Sequence, residues 1–220
     1  MIASQPQTTL VLLRHGQTDW NALGRFQGQT DIALNDTGLQ QATAAAKAIA
    51  GLRPDVLVAS PFTRAQQTAG EVAKVTDLPI ETDERLSEIN CGSWEGLTMD
   101  QVTQIDPEFV KALREGRDYR RSPEGETAEE TGERWAGAVR DIVETHAGRR
   151  IVVVSHGLAM RQGIAKLLGW DYELSQQHGP FDNCSWAILE QHHGGWRVAT
   201  WNENVQTMMA LIEDTNPEQV

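Results

Sequence analysis

At three places the sequence sets cationic or imidazole side chains directly after a short apolar run. Leu10-Val11-Leu12-Leu13 leads into Arg14-His15-Gly16, Val56-Leu57-Val58-Ala59 into Ser60-Pro61-Phe62-Thr63-Arg64, and Ile151-Val152-Val153-Val154 into Ser155-His156-Gly157. Each residue alone is ordinary, since a histidine after a strand is more often hydrogen-bonded structure than catalyst. The repetition is what carries meaning. Two imidazoles and two guanidiniums brought together make a site for a small dense anion, because arginine forks match phosphate oxygens in pairs. Phosphoryl transfer asks mainly for positioning and charge stabilisation. An imidazole also offers a nucleophile, and a covalent route splits one hard displacement into two easier ones.

For those three ends to meet, the apolar runs must be parallel strands of one sheet, where ligands bind beyond the carboxyl ends. The segments between them read as helices. One is predicted from about Thr37 to Ala50, capped by Asp36 or Thr37 and stopped by Gly51. Another follows Ser60-Pro61, with Ser60 as N-cap and Pro61 in the first turn. It sets Phe62, Ala65, Ala69, Val72 and Ala73 on one face. Arg64 sits at its start, and helical side chains lean toward the N-terminus, so its guanidinium reaches back to the strand ends. Further helices are predicted from near Thr127 to His146 and from Leu158 to Leu168, the latter closed by Gly169. Gly16 is read as freeing the backbone to turn away from its strand.

Ser185 to Gln191 and Trp196 to Trp201 flank His192-His193-Gly194-Gly195 and predict a hairpin, hence an antiparallel edge. The expected fold is α/β: a three-layer α/β/α sandwich on a mostly parallel central sheet with an antiparallel edge strand, one domain over 1–220. Residues 85–135 break the rhythm and are read as an excursion over the active face, too poor in apolar residues for a core of its own. The polar tail from Thr215 to Val220 is expected to fray.

Composition narrows the partner. The 220 residues carry 19 Lys and Arg against 31 Asp and Glu, a net charge of −12. Holding a nucleic-acid backbone needs a basic face, and membrane-surface binding needs a basic amphipathic helix; neither is present. No apolar run approaches a membrane span, and Met1 to Thr9 lacks the charged and apolar regions of a secretory leader. The expected partner is a small phosphorylated metabolite, with no nucleic acid and no membrane, and the expected location is the cytoplasm. Cys91 and Cys184 have no metal-ligand spacing and read as buried free thiols, with a disulfide between them left open. His146, His178, His192 and His193 show no ligand pattern either, so no metal and no cofactor are expected.

RHGQTDWN, GRFQGQTDIAL, SPFTRAQQTA, a Leu86-x-Glu88 ahead of GSWEG, and VVVSHG together resemble the histidine phosphatase superfamily, the phosphoglycerate mutase-like family. The resemblance runs from Leu10 to about Leu168 in the family's order. It implies that His15 is the nucleophile and that Arg14, Arg64 and His156 hold the phosphoryl oxygens, with Asn21 and the Gly157 N–H assisting. Glu88 would protonate the leaving oxygen and then activate water. Thr18, Gln27 and Gly28 fall where the family's loop approaches substrate. These roles agree with simple physics: a nucleophilic imidazole must be neutral, which adjacent arginines favour, and one ring nitrogen must be tied back to a carbonyl. Glu95 is a competing acid of lower rank, and Trp20 and Trp94 are placed at the pocket border.

Mutases of the family read FTGW after the first motif and have an ERxYG-like block near the acid. This chain has Phe26-Gln27-Gly28-Gln29 and Glu88-Ile89-Asn90-Cys91-Gly92 instead, which is phosphatase-like. Together with Asn183-Cys184-Ser185-Trp186 and Trp201-Asn202, these blocks resemble bacterial glucosyl-3-phosphoglycerate phosphatases. The alternatives are a cofactor-dependent phosphoglycerate mutase and a non-catalytic phospho-ligand module; the latter calls for loss of His15, Arg64 or His156, and none is lost. In RRSPEGET, Arg120 or Arg121 meets a second anionic group, or both offset Glu124, Glu126, Glu129 and Glu130 on a solvated face; the second reading is preferred. Dimers are common in the family, and the hairpin edge offers a surface for a homodimer by analogy.

Overall fold

The computed structural model describes residues 7–206. In chain order its elements are β1 (Thr9–Arg14), α1 (Asp19–Ala22), α2 (Asp36–Gly51), β2 (Val56–Ala59), α3 (Thr63–Thr76), β3 (Ile80–Thr82), α4 (Met99–Ile105), α5 (Pro107–Arg114), α6 (Ala128–Thr145), β4 (Arg150–Ser155), α7 (Gly157–Leu168), α8 (Tyr172–Gln176), β5 (Trp186–His192) and β6 (Gly195–Glu203). The expectation for Thr215 to Val220 lies outside the described residues.

The sheet order is β3-β2-β4-β1-β5-β6. β3, β2, β4 and β1 are parallel, and β5 runs against both β1 and β6, so the late hairpin supplies the antiparallel edge. Alternate residues of each strand face opposite layers. Leu10, Leu12, Ile151 and Val153 pack on Trp135, Val139, Met160 and Ile164 of α6 and α7. Val11, Leu13, Val152 and Val154 pack on Ala42, Ala45, Ile49, Ala65, Ala69 and Val72 of α2 and α3. Burying each such Val or Leu contributes roughly 1.5–3 kcal/mol. The outcome is the three-layer α/β/α sandwich.

Register sets the site. Arg14 pairs with Ser155 across β1 and β4, and Ala59 pairs with Val154 across β2 and β4. The three strands therefore end level, and the polar residues that follow them emerge side by side.

Local readings need correction at four points. Ser60 is not an N-cap. The chain stays extended through Phe62, as residues around a proline favour, and the Asp31 carboxylate caps α3 from another loop, accepting the Thr63 N–H and hydroxyl at 2.7 Å each. In α2 the cap is Asn35, whose side chain accepts the Gly38 N–H at 2.9 Å, and Gly51 is still helical. Gly16 is absent from the positive-φ residues; its smallness serves close approach, since a Cβ there would lie 2.5 Å from the Gly38 carbonyl oxygen. Finally, the excursion does have a small core of Ile89, Cys91, Trp94, Val102 and Phe109, built partly by α4 and α5. Few apolar residues suffice there because two of the five are large aromatics, Trp94 and Phe109, whose rings lie 4.9 Å apart.

Helices α6 and α7 cross where Gly132 meets the Gln162 backbone and Gly163 meets the Trp135 ring. The Trp135 indole is fully buried, and its N–H donates to Ser155 Oγ at 2.9 Å. A Cβ at Gly163 would lie 2.0 Å from Trp135 Cε3, whereas one at Gly137 of α6 meets nothing within 4 Å. Gly163→Ala should therefore lose about 2 kcal/mol, overpacking outweighing the roughly 1 kcal/mol gained in helix propensity. Thermal melts should show a drop of about 4–8 °C, and Gly137→Ala should rise slightly; equal shifts for the two would contradict this packing.

Candidate active site

His15 stands immediately beyond β1 with its backbone fixed on three sides. Its N–H donates to the Ser155 carbonyl at 3.0 Å, and its carbonyl accepts from the Cys184 N–H at 3.2 Å and the Asn183 amide at 3.1 Å. The ring is 2% exposed. Nδ1 lies 2.7 Å from the Gly16 carbonyl; a carbonyl only accepts, so Nδ1 carries the proton and Nε2 is the basic atom. Burial, reinforced by the Arg14 and Arg64 guanidiniums, holds the pKa of His15 well below the usual 6.5. At neutral pH this is a neutral imidazole with a free lone pair.

Arg64, at the start of α3, is 0% exposed and has no carboxylate partner among its hydrogen bonds. Its guanidinium donates to the Thr30 carbonyl at 2.8 Å, the Gly28 carbonyl at 2.9 Å, and His156 Nδ1 at 3.2 Å. His156 Nε2 then carries a proton and donates to Ser60 Oγ at 2.8 Å. Burial, then the neighbouring Arg64, keeps His156 neutral as well. The two histidine rings are 5.2 Å apart between centroids. Arg14 donates to the Phe181 carbonyl, while its Nε is buried without a hydrogen-bond partner. Gly157 accommodates that guanidinium, for a Cβ there would sit 3.2 Å from Arg14 Nε.

Glu88 comes from the irregular stretch after the 3₁₀ turn Glu84–Leu86. Its carboxylate accepts the N–H of Ala159 at 2.9 Å and of Leu158 at 3.3 Å, and also its neighbour Ile89 at 2.9 Å. The first turn of α7 thus holds the acid, as helix N-termini hold anions generally.

A cavity of about 190 Å³ is walled by Arg14, His15, Asn21, Gln27, Gly28, Arg64 and Glu88. His156, Gly157 and Thr18 stand behind this wall: both His156 nitrogens are engaged, and the Thr18 hydroxyl donates to Gln27 Oε1 at 2.9 Å. Asn21 Oδ1 accepts from the Thr18 N–H and from Asn183. In Asn21 and Gln27 alike, the engaged oxygen leaves the NH₂ as the group able to donate to a ligand.

Other wall residues were not singled out from sequence: Arg25, Phe26, Ile89, Cys91 and Leu158. Arg25 and Phe26 sit inside GRFQGQ, so their place between two glycines was the available signal. Ser60, Asn183 and Asp31 also act here; the motifs that contain them are legible in the sequence, but their hydrogen-bond roles are not. Arg121 departs from the solvated-face reading. It is 4% exposed, lines the cavity, pairs with Asp118 at 3.3 Å and covers the Phe109 ring. Arg120 keeps to that reading and pairs with Glu130 at the surface. Glu95 is not on the wall; its carboxylate accepts the Gln29 N–H at 2.8 Å and the Thr30 hydroxyl, bracing the loop that holds Arg64. Trp94 lies in the small third core rather than at the border, and Trp20 packs under Gly96. Cys91 and Cys184 are free thiols; burial pushes Cys91 up to about 12, which removes it as a rival nucleophile at neutral pH. Among the described residues no group of three or more His, Cys, Asp or Glu is placed to hold a metal ion, and no helix is long and apolar enough to cross a membrane.

Comparison with known proteins agrees with this geometry. The family described as histidine phosphatase superfamily (branch 1) matches residues 10–204. A probable phosphoglycerate mutase of Yersinia pestis is 33% identical over 190 residues, covering 86% of this chain and 88% of its own. Among solved structures, a mycobacterial glucosyl-3-phosphoglycerate phosphatase bound to VO₃ superposes with a TM-score of 0.82 at 33% identity, over 89% of this chain and 99% of that one. A phosphoserine phosphatase of Entamoeba histolytica in complex with 3-phosphoglyceric acid has a TM-score of 0.81 at 31% identity, over 90% and 98%. With a family match across most of its length, the chain belongs to the histidine phosphatase superfamily, branch 1, and is an enzyme of the histidine phosphatase type.

Proposed function

We propose that the protein hydrolyses small phosphomonoesters through a phosphohistidine on His15. One observation supports this above the others: a neutral, buried imidazole shares a cavity with Arg14 and Arg64, whose hydrogen bonds go to carbonyls and an imidazole and not to carboxylates. Guanidinium groups match phosphoryl oxygens well, and a phosphoryl group entering the cavity would meet both. His15 Nε2 attacks phosphorus, and the bond from phosphorus to the ester oxygen breaks. Glu88 passes its proton to that oxygen as it leaves. Arg14 and Arg64 oppose the charge on the transferring oxygens, with the Asn21 and Gln27 amides donating and His156 keeping Arg64 aimed. Water then attacks the phosphohistidine, Glu88 takes its proton, and inorganic phosphate departs with Nε2 neutral again. The guanidiniums supply the positive charge, so the reading requires no metal.

The cavity is smaller than the roughly 300–1,000 Å³ common for ligand pockets, which suits a phosphoryl group with few further atoms inside. Arg121 on the wall offers a second cation, suited to a carboxylate, and the phosphatases similar to this chain are named for phosphoserine and glucosyl-3-phosphoglycerate. We therefore place the substrate among phosphorylated metabolites bearing a carboxylate, glucosyl-3-phosphoglycerate or a simpler glycerate phosphate. Two buried free thiols suit a reducing compartment, in keeping with a cytoplasmic enzyme. The second reading, phosphoglycerate isomerisation, rests on the naming of the Yersinia relative.

Three outcomes test these points. The native chain should release nitrophenol from p-nitrophenyl phosphate in EDTA and yield an acid-labile phosphoprotein on rapid quench, while His15→Ala, with unchanged circular dichroism, should do neither; turnover by His15→Ala would place the nucleophile elsewhere. Across phosphoserine, 3-phosphoglycerate, glucosyl-3-phosphoglycerate and glycerol phosphate, kcat/KM should favour the carboxylates, and Arg121→Gln should erase that preference. Adding 2,3-bisphosphoglycerate to 3-phosphoglycerate should give phosphate rather than 2-phosphoglycerate, and isomer formation would favour the mutase reading.

A fourth outcome concerns pH. His15 and His156 have folded pKa values below 6.5, so the unfolded chain binds more protons than the folded one as pH falls. Their contribution to stability is complete above about pH 6.5 and lost progressively below it. Melting temperature should hold between pH 8 and 7 and decline toward pH 5, less steeply in His15→Gln; equal slopes would contradict the buried neutral state.

A further inference from the structure

Arg134, on the α6 face toward the acid-bearing segment, makes five hydrogen bonds with the five N–H groups a guanidinium has. Nη1 donates to the carbonyls of Arg85 at 2.7 Å and Ser87 at 3.0 Å. Nη2 donates to the Glu88 carbonyl at 3.2 Å and to Glu126 Oε2 at 2.8 Å, and Nε to Glu126 Oε1 at 2.9 Å. Glu126 Oε2 in turn accepts the Asn90 N–H at 2.9 Å and the Thr131 hydroxyl at 3.2 Å. The backbone on both sides of Glu88 is thus tied to one ion pair, by its carbonyls before and at residue 88 and by an N–H at residue 90.

This matters because the segment has no other regular support. Residues 87–91 belong to no helix or strand, so no ladder fixes where the Glu88 carboxyl points. Arg134 and Glu126 are only partly buried, with side-chain exposures of 23% and 22%, and neither belongs to the cavity wall. Helix α6 also packs tightly on α7, whose first turn binds the Glu88 carboxylate. One helix pair therefore holds the acid's backbone and the other end of its side chain. We infer that the Arg134–Glu126 pair is a positioning device for proton transfer by Glu88. The inference rests on the role proposed for Glu88 above.

A device that aims the acid differs from mere scaffolding in what its loss does to different substrates. Leaving oxygens of low basicity depart without a proton, and basic alkoxides do not. A misplacement of about 1 Å can cost on the order of 100-fold, and general acid catalysis contributes on the order of 10²–10⁴-fold. Arg134→Ala and Glu126→Gln should therefore lower kcat on glycerol phosphate about 10–100-fold more than kcat on p-nitrophenyl phosphate. Arg134→Lys, with three donors in place of a planar fork, should recover little, whereas free guanidinium added to Arg134→Ala should restore glycerol phosphate turnover. Glu88→Gln runs in parallel as the reference. Leaving-group discrimination in Glu88→Gln but equal losses on both substrates in the folded Arg134 and Glu126 variants would overturn the positioning role. Absence of discrimination in Glu88→Gln itself would instead overturn the role given to the acid.

Discussion

The structure is organised around a buried guanidinium that has no carboxylate among its hydrogen-bond partners. Arg64 has no measurable exposure, yet it is satisfied by two carbonyls and an imidazole rather than by a carboxylate. Carbonyl oxygens offset part of the desolvation cost, which runs to several kcal/mol for a buried ion, but they leave the positive charge uncancelled. That residual charge does two things. It helps suppress protonation of His15 and His156, and it leaves the cavity seeking an anion. Pairing Arg64 with an aspartate would weaken both effects, leaving burial and Arg14 to sustain them.

Much of the surrounding architecture follows from having to hold that charge. The carbonyls of Gly28 and Thr30 face Arg64 only because the loop bends there with Gly28 at φ 51°, and because Glu95 grips the neighbouring Gln29 and Thr30. The Cβ-free side of Gly28 is occupied by the Glu95 carboxylate itself, 2.1 Å from where a Cβ would stand. Ser60 meets His156 because β2 and β4 are in register, and Thr68 of α3 ties the Gly16 N–H to the same helix that carries Arg64. Backbone register, a loop bent at a glycine and one helix start converge on three nitrogens.

What the sequence disclosed, and what it hid, divides along range of interaction. Apolar runs and their partner helices were legible because burial imposes period on every residue of an element. So was the strand-end placement of Arg14, His15 and His156, since the register of a fully buried parallel sheet admits little slippage. Ser60 was misread because a Ser-Pro pair is a good local cap, and the competing capping group, Asp31, lies on a different loop. Arg121 was misread for a related reason: five glutamate and arginine neighbours suggest a solvated face, while Phe109, whose ring it covers, becomes a neighbour only in three dimensions. The small core of the excursion was missed because its apolar residues are spread over too many short elements to show a period.

The contrast between a chain of net charge −12 and a cavity lined by Arg14, Arg25, Arg64 and Arg121 also selects the kind of anion that fits. At physiological ionic strength, fields between exposed charges fade within about 8 Å, so a compact phosphorylated molecule responds mainly to the local arginines once inside. An extended polyanion cannot confine itself to the cavity. Its remaining phosphates would lie along a surface richer in carboxylates than in cations, and each would lose the counterion-release gain that a basic face provides. On the proposed function, the acidic exterior and cationic interior would act together as a size filter for phosphate esters, independent of any shape complementarity in the pocket. Specificity among small esters then falls to the groups beyond the phosphoryl site, where Arg121 is the one wall cation already held rigid by an ion pair and an aromatic face.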